Sequence, residues 1–281
     1  MVDDIPGIRI IASGSSSFDL LNKSGEPLVG RSTTFYLYPF SQQELIVEEN
    51  SLQTRQNLEK RVIYGAYPEV VTMLSDKKVQ EYLIDMVNAY LLKDILMIEG
   101  LRSTGKIGNL LKLIAFQVGS EVSYDELGRQ LGMSKNTVEK YLDLLSKVFV
   151  IFRLGGFSRN LCKEVTKTGK WYFWDLGVRN AIIGNFSPLA VRSDIGQLWE
   201  NYLINERLKR NNNQMGFSHY YFWRTYDGQG IDLIEEDNQS LAAFEFKWRE
   251  KSVKPPVAFA NAYPNSIFST VHQSNYLDFV M

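Results

Sequence analysis

Apolar and polar positions change period several times along the chain, and each change marks an element. "IRIIASG" (8–14) is a short, mostly apolar run closed by glycine and a serine cluster, the pattern of a strand covered on both faces. "TTFYLYPFS" (33–41) predicts a second strand before the chain turns helical. Two parallel strands cannot cover both of their faces, so they predict either a small appendage or part of a larger sheet. From Ser41 to about Gly100 the spacing is helical, with a break at "YGAYPEVV" (64–71), where Gly65 suits a turn and Pro68 a first helical turn. Farther on, Tyr82, Met86, Tyr90, Leu91 and Ile95 recur at helical intervals towards a helix end at Gly100.

The next segment, "SYDELGRQLGMSKNTVEKYLDLLSKVFVIFRL" (123–154), predicts two helices split by Gly132, Met133 and Ser134. Leu127, Leu131, Val138, Leu142 and Leu145 mark their inward positions, and Ser134 is placed to cap the second helix. That is helix-turn-helix spacing. The strand "FVIFRL" and the later "KWYFWDLG" would supply a wing, so 103–175 reads as a winged helix-turn-helix. A long helix around "DIGQLWENYLINERLKR" follows, then strands at "HYYFWRT", "IDLIEE" and "LAAFEFKW". Aromatic residues in these strands read as core. The fold class expected is α/β and multi-domain.

Composition excludes several function classes. With 44% hydrophobic and 22% charged residues, the 281-residue chain has the make-up of a globular protein with room for two or three domains. A net charge of -1 means that nucleic-acid binding must come from a local patch. One cysteine, Cys162, allows no internal disulfide, and two histidines leave no Cys/His zinc site. The first residues lack the basic and apolar regions of a signal peptide, and no run approaches the roughly eighteen apolar residues of a membrane span. The expectation is a cytoplasmic protein without membrane contact.

Three groups of residues carry candidate chemistry. "GLRSTGKI" (100–107) fits the glycine-lysine spacing of a phosphate loop, but Ile107 stands where Ser or Thr would ligate magnesium, and the preceding pattern is helical. ATP hydrolysis by this chain alone is therefore not expected. On the second helix of the pair Lys135, Asn136 and Lys140 are candidate nucleic-acid contacts. Lys163, Lys167 and Lys170 join them on the wing side, with Arg153, Arg159 and Arg179 nearby. DNA is one expected partner; a protein docked on the same module is the alternative. Finally, Asp232 lies in "IDLI", Glu245 and Lys247 in "FEFKW", and Glu200 in the long helix. Residues 245 and 247 share a strand face, and a hairpin through "EDNQS" brings Asp232 alongside them. Asp232, Glu245 and Glu200 could ligate Mg2+, with Lys247 orienting or activating water for attack on a phosphodiester. The alternative is a salt-bridged cluster at a sheet edge.

The stretch "IRIIASGSSSFDLLNKSGEPLVGRSTTFYLYPFSQQEL" resembles the late part of an AAA-type ATPase module from a prokaryotic family with a C-terminal domain of unknown function. The resemblance implies 1–50 as the end of that module, without its phosphate-binding loop. Ser15 or Ser16 would be sensor-like and Arg31 a candidate arginine finger; by residue type alone they read as a helix cap and a surface arginine. A helical connector (51–102) and the winged helix would follow. "WEN", "YYFWRT", "IDLI" and "FEFKW", in that order, resemble the PD-(D/E)XK nuclease superfamily, implying a nuclease-like domain at 176–281. There Asp232, Glu245 and Lys247 would be catalytic, though Gly230 stands where the pattern usually has an acid. The superfamily includes inert members, so the resemblance implies either a Mg2+-dependent nuclease or a non-catalytic module that binds DNA or protein. An inactive truncated ATPase is the third alternative.

Overall fold

In the computed structural model, residues 10–14, 32–91, 104–158, 169–238 and 240–281 are described; these contain six strands and eleven α-helices. The helices begin with α1 (Gln42–Leu45), α2 (Ser51–Tyr64), α3 (Pro68–Thr72) and α4 (Asp76–Asp85), which runs into a π-helical turn, Met86–Leu91. Local sequence fixes their starts. Ser41 and Glu44 form a capping box, Asn50 and Gln53 form another, and Pro68 occupies the first turn of α3. The helical reading of 41–100 thus holds as far as the described residues reach.

Helix α5 (Thr104–Phe116) leads into α6 (Tyr124–Leu131) and α7 (Lys135–Lys147). Gly132 is left-handed and ends α6, while the Ser134 hydroxyl accepts from Thr137 N and starts α7. Leu127, Val138, Leu142 and Leu145 are buried and Leu131 half-buried, as their spacing predicts. Strand β1 (Ile151–Gly156) pairs antiparallel with β2 (Lys170–Phe173), giving the hairpin after the helix pair.

That hairpin is one end of a larger sheet. Strands β3 (His219–Arg224), β4 (Gly230–Asp237), β5 (Ser240–Phe246) and β6 (Ile267–Val271) complete the order β2-β1-β3-β4-β5-β6. Strands β3 to β5 run antiparallel, whereas β1–β3 and β5–β6 are parallel. The β1–β3 pairing carries one sheet across residue 175, from the hairpin after α7 into the C-terminal strands. Helices α10 (Val257–Ala262) and α11 (Tyr276–Val280) follow β5 and β6.

The nineteen-residue α9 (Ile195–Asn213) lies against β2 and β5, after α8 (Leu176–Ile183). Leu198, Trp199, Leu203 and Ile204 are fully buried, and Trp199 packs edge-on against Trp248 and Tyr276. Burial on most sides requires partners for its polar residues. Asn201 accepts from Phe173 N at 2.9 Å and donates to Phe173 O at 2.8 Å, and Asn205 donates to Trp174 O at 2.6 Å. These amides and the segment 119–122, through Gly119 N to Trp171 O and Val122 N to Gly169 O, cover the outer edge of β2.

The two N-terminal strands do not appear among the described residues: 10–14 and 32–40 join no sheet. No neighbouring strand meets their backbone there, and Ile11 and Leu37 are almost fully exposed. Aromatic packing and backbone contacts hold 32–40 instead, with Tyr38 stacked on Trp174 at 4.1 Å, Tyr36 tilted against Phe149, and Phe40 N donating to Ala66 O at 2.9 Å. Among the described residues no helix is long and apolar enough to cross a membrane.

Candidate functional site

Strand register assembles the site. In the antiparallel β4–β5 pair Leu233 faces Phe244, and one further step along the same register puts Asp232 opposite Glu245. The Phe246 N–H donates to Asp232 Oδ2 at 2.8 Å, and Lys247 Nζ donates to Glu245 Oε1 at 2.7 Å. Glu200 projects from α9, which packs against both β2 and β5. Its Oε1 accepts from Lys170 Nζ at 2.9 Å and from the Tyr172 hydroxyl at 2.6 Å. The structure therefore brings Asp232, Glu245 and Lys247 together, with Glu200 beside them on α9 and engaged by β2. It adds two that the sequence reading missed in this role, Lys170 and Tyr172. They sit two apart on β2 and share a face, a signal visible in "KWYFW" but meaningful only once β2 lies against α9.

These groups act on one another's charge. Burial raises the Asp232 carboxyl, and the negative charges of Glu200 and then Glu245 raise it further; the Phe246 N–H and Lys170 oppose them, leaving it at about 7. For Lys247 burial works against the charged form, but the Glu245 hydrogen bond and the charges of Glu245, Asp232 and Glu200 raise its pKa on balance. Like charges directly opposite each other on neighbouring strands are destabilising, so the Asp232–Glu245 pair costs stability where it stands.

The residues suit a cation only in part. Asp232 and Glu245 form a pair of oxygen donors whose mutual repulsion a divalent cation would relieve, and Mg2+ keeps several waters and needs few protein ligands. Glu200, however, is engaged by Lys170 and Tyr172. Among the described residues no three His, Cys, Asp or Glu side chains are grouped so as to hold a metal together.

The candidate nucleic-acid residues divide. Lys135, Asn136 and Lys140 are exposed on α7, with Lys135 3.6 Å from Asp125. Lys170 instead turns inward to Glu200, its side chain only 12% exposed. Arg179, counted with the wing cations, is buried against Asp194 and donates to Ala115 O at 2.8 Å, so it presents no charge to a partner. Lys163 and Lys167 lie outside the described residues, as do Ser15, Ser16 and Arg31. In the phosphate-loop look-alike, Lys106 donates to Gly132 O at 2.7 Å and Ile107 is buried within α5, as the helical reading requires.

Comparisons with known proteins match three successive segments of the chain. Residues 1–46 match an AAA domain, 55–189 a domain of unknown function (DUF8612), and 195–270 another domain of unknown function (DUF4143). Uncharacterized proteins of Mycobacterium tuberculosis and Mycobacterium bovis are each 24% identical over 245 residues, 85% of this chain and 52% of theirs. An uncharacterized protein of Haemophilus influenzae is 24% identical over 185 residues, 62% of this chain and 46% of its own. The chain spans about half the length of these curated relatives. No solved structure matches it. Together the three domain matches relate the chain to an AAA-type ATPase family that carries domains of unknown function.

Proposed function

We propose that the chain is the DNA-associated part of an AAA-type ATPase and that its carboxylate–lysine centre serves Mg2+-dependent phosphodiester cleavage. The observation that carries this reading is the placement of Asp232 opposite Glu245, with Glu200 acting on the same carboxyl and Lys247 2.7 Å from Glu245. A half-buried pair of facing carboxylates is unfavourable in the free protein and becomes favourable with a cation or a phosphate-bound cation. Asp232 and Glu245 would hold the cation, which supplies charge stabilisation to a reacting phosphoryl group. Lys247, whose proton is held more firmly than usual, acts as a positive hydrogen-bond donor to phosphate oxygens rather than as a base. Exposed Lys135, Asn136 and Lys140 on α7 support backbone contacts to DNA.

One observation favours a second, non-catalytic reading: the absence of a three-ligand group among the described residues suits an inert fold that binds DNA or protein. The test is incubation of single- and double-stranded DNA with Mg2+ or Mn2+, comparing the wild type with Asp232→Asn and Lys247→Ala. Cleavage by the wild type alone supports the nuclease. Equal cleavage by all three marks contamination, and binding without cleavage leaves the inert module.

A further inference from the structure

Strand β2 ties the helix-turn-helix hairpin to the acidic centre. Resting on the cation-binding reading above, we propose that Lys170 and Tyr172 withhold Glu200 from the Asp232–Glu245 pair, so that β2 sets the cation affinity of the centre. Both donors converge on one atom, Glu200 Oε1, at 2.9 and 2.6 Å. Tyr172 is fully buried, and the side chains of Lys170 and Glu200 are 12% and 14% exposed, so water competes little for these bonds. Charge-assisted hydrogen bonds of this kind are stronger than neutral ones. Helix α9 packs against β5, and Trp199, next to Glu200, meets Trp248, next to Lys247, edge-on at 5.3 Å, so Glu200 stands beside the strand that carries the centre while β2 holds its carboxylate.

The same strand is anchored at both edges. Strand β1 pairs with it on one side. On the other, Asn201 of α9 takes Phe173, while Gly119 and Val122, just ahead of α6, bond to Trp171 and Gly169. A Cβ at Gly119 would lie 3.5 Å from both the Glu200 carboxyl and the Tyr172 ring, so this segment packs directly over the Glu200 contacts. A displacement of the helix pair would therefore reach Lys170 and Tyr172 through one short strand. Release of Glu200 gives the centre a third carboxylate.

Titration of Mn2+ alone into the full chain, followed by the loss of the free-ion spectroscopic signal, tests this without relying on turnover. Tyr172→Phe removes one donor and leaves ring and charge intact; it is expected to tighten Mn2+ binding roughly tenfold. Glu200→Gln should change wild-type affinity less than about twofold, yet abolish the gain in the Tyr172→Phe background, a coupling that a merely structural role would not produce. Lys170→Arg, which keeps the charge, should behave as the wild type. Unfolding curves check that each variant folds.

The clamp is overturned if Mn2+ binds equally to wild type and Tyr172→Phe while Asp232→Asn abolishes binding; the cation reading then survives. It is overturned as well if Glu200→Gln alone weakens binding as much as Asp232→Asn, since Glu200 is then already a ligand. No Mn2+ binding in any form, Tyr172→Phe included, overturns both the clamp and the cation reading.

Discussion

Gly65 has a φ of 76°, and the Asp175 carboxylate lies where its Cβ would go. Asp175 caps α8 by accepting from Val178 N at 3.0 Å, and it also accepts from Ala66 N at 2.8 Å. Burial pushes its carboxyl above the usual range despite these N–H partners. The break at "YGAYPEVV" was visible in the sequence as a turn; its purpose was not, because Asp175 arrives from more than a hundred positions away. Gly65→Ala is expected to cost about 3 kcal/mol, combining backbone strain with a displaced buried carboxyl. Gly132→Ala makes the control: it too is left-handed, but no atom lies near its Cβ, so about 1 kcal/mol is expected in urea unfolding. Equal losses would show that Asp175 has room to move. Asp194 gives a pH dependence. Burial raises its carboxyl, but hydrogen bonds and charge from Arg192 and Arg179 outweigh that and hold it at about 2. Its folded value lies below its unfolded one, so its stabilisation is complete above about pH 4 and is lost as pH falls towards 2. Asp194→Asn should remove roughly 2 kcal/mol near neutrality and flatten the acid limb of the stability curve.

At the scale of elements, legibility followed the range of the interactions. Helices α2, α6 and α7 carry their start signals within three or four residues; Ser134 was legible for that reason, and Asn50 and Ser123 cap in the same way. The β4–β5 hairpin was legible for the same reason, and with it Asp232, Glu245 and Lys247. The parallel pairs β1–β3 and β5–β6 join distant segments and leave no local trace, so neither β6 nor the continuity of the sheet was anticipated. Lys170 and Tyr172 were missed because their role depends on α9 packing against β2. Asn201 is the polar link in that packing. Asn201→Ala leaves the N–H and C=O of Phe173 without their amide partner in a fully buried site, and about 3 kcal/mol should be lost. Hydrogen exchange should then speed up at Phe173 ahead of β4 and β5. Uniform acceleration across the sheet would instead mean that β2 opens only with the whole molecule.

Across the whole molecule, three regions meet at one buried polar joint. The segment 39–45, at the end of the AAA domain match, inserts against α2 and α9. Gln42 N donates to Glu206 Oε2 at 2.5 Å, while Arg61 and Tyr202 donate to the Gln42 side-chain oxygen at 2.5 and 3.2 Å. Lys209, 2% exposed, bridges Glu206 at 3.0 Å and Phe40 O at 3.1 Å. A cavity of about 10 Å3, lined in part by Gln42 and Asn205, leaves room there for one water molecule. Helix α9 thus carries the joint near one end and Glu200 near the other, so the end of the ATPase-like segment and the acidic centre share one rigid element. Glu206→Ala removes the partner of a buried lysine and should cost about 3–5 kcal/mol. The informative readout is local. Amide exchange at Gln42 should rise by far more than exchange in α6 and α7, because the segment loses its backbone acceptor while the helix pair keeps its own core. If Gln42 exchanges no faster in Glu206→Ala than α6 does, the segment is held by aromatic stacking at Tyr38 rather than by the joint. The Gln42–Glu206 bond would then contribute nothing to the hold of the ATPase-like segment on α9.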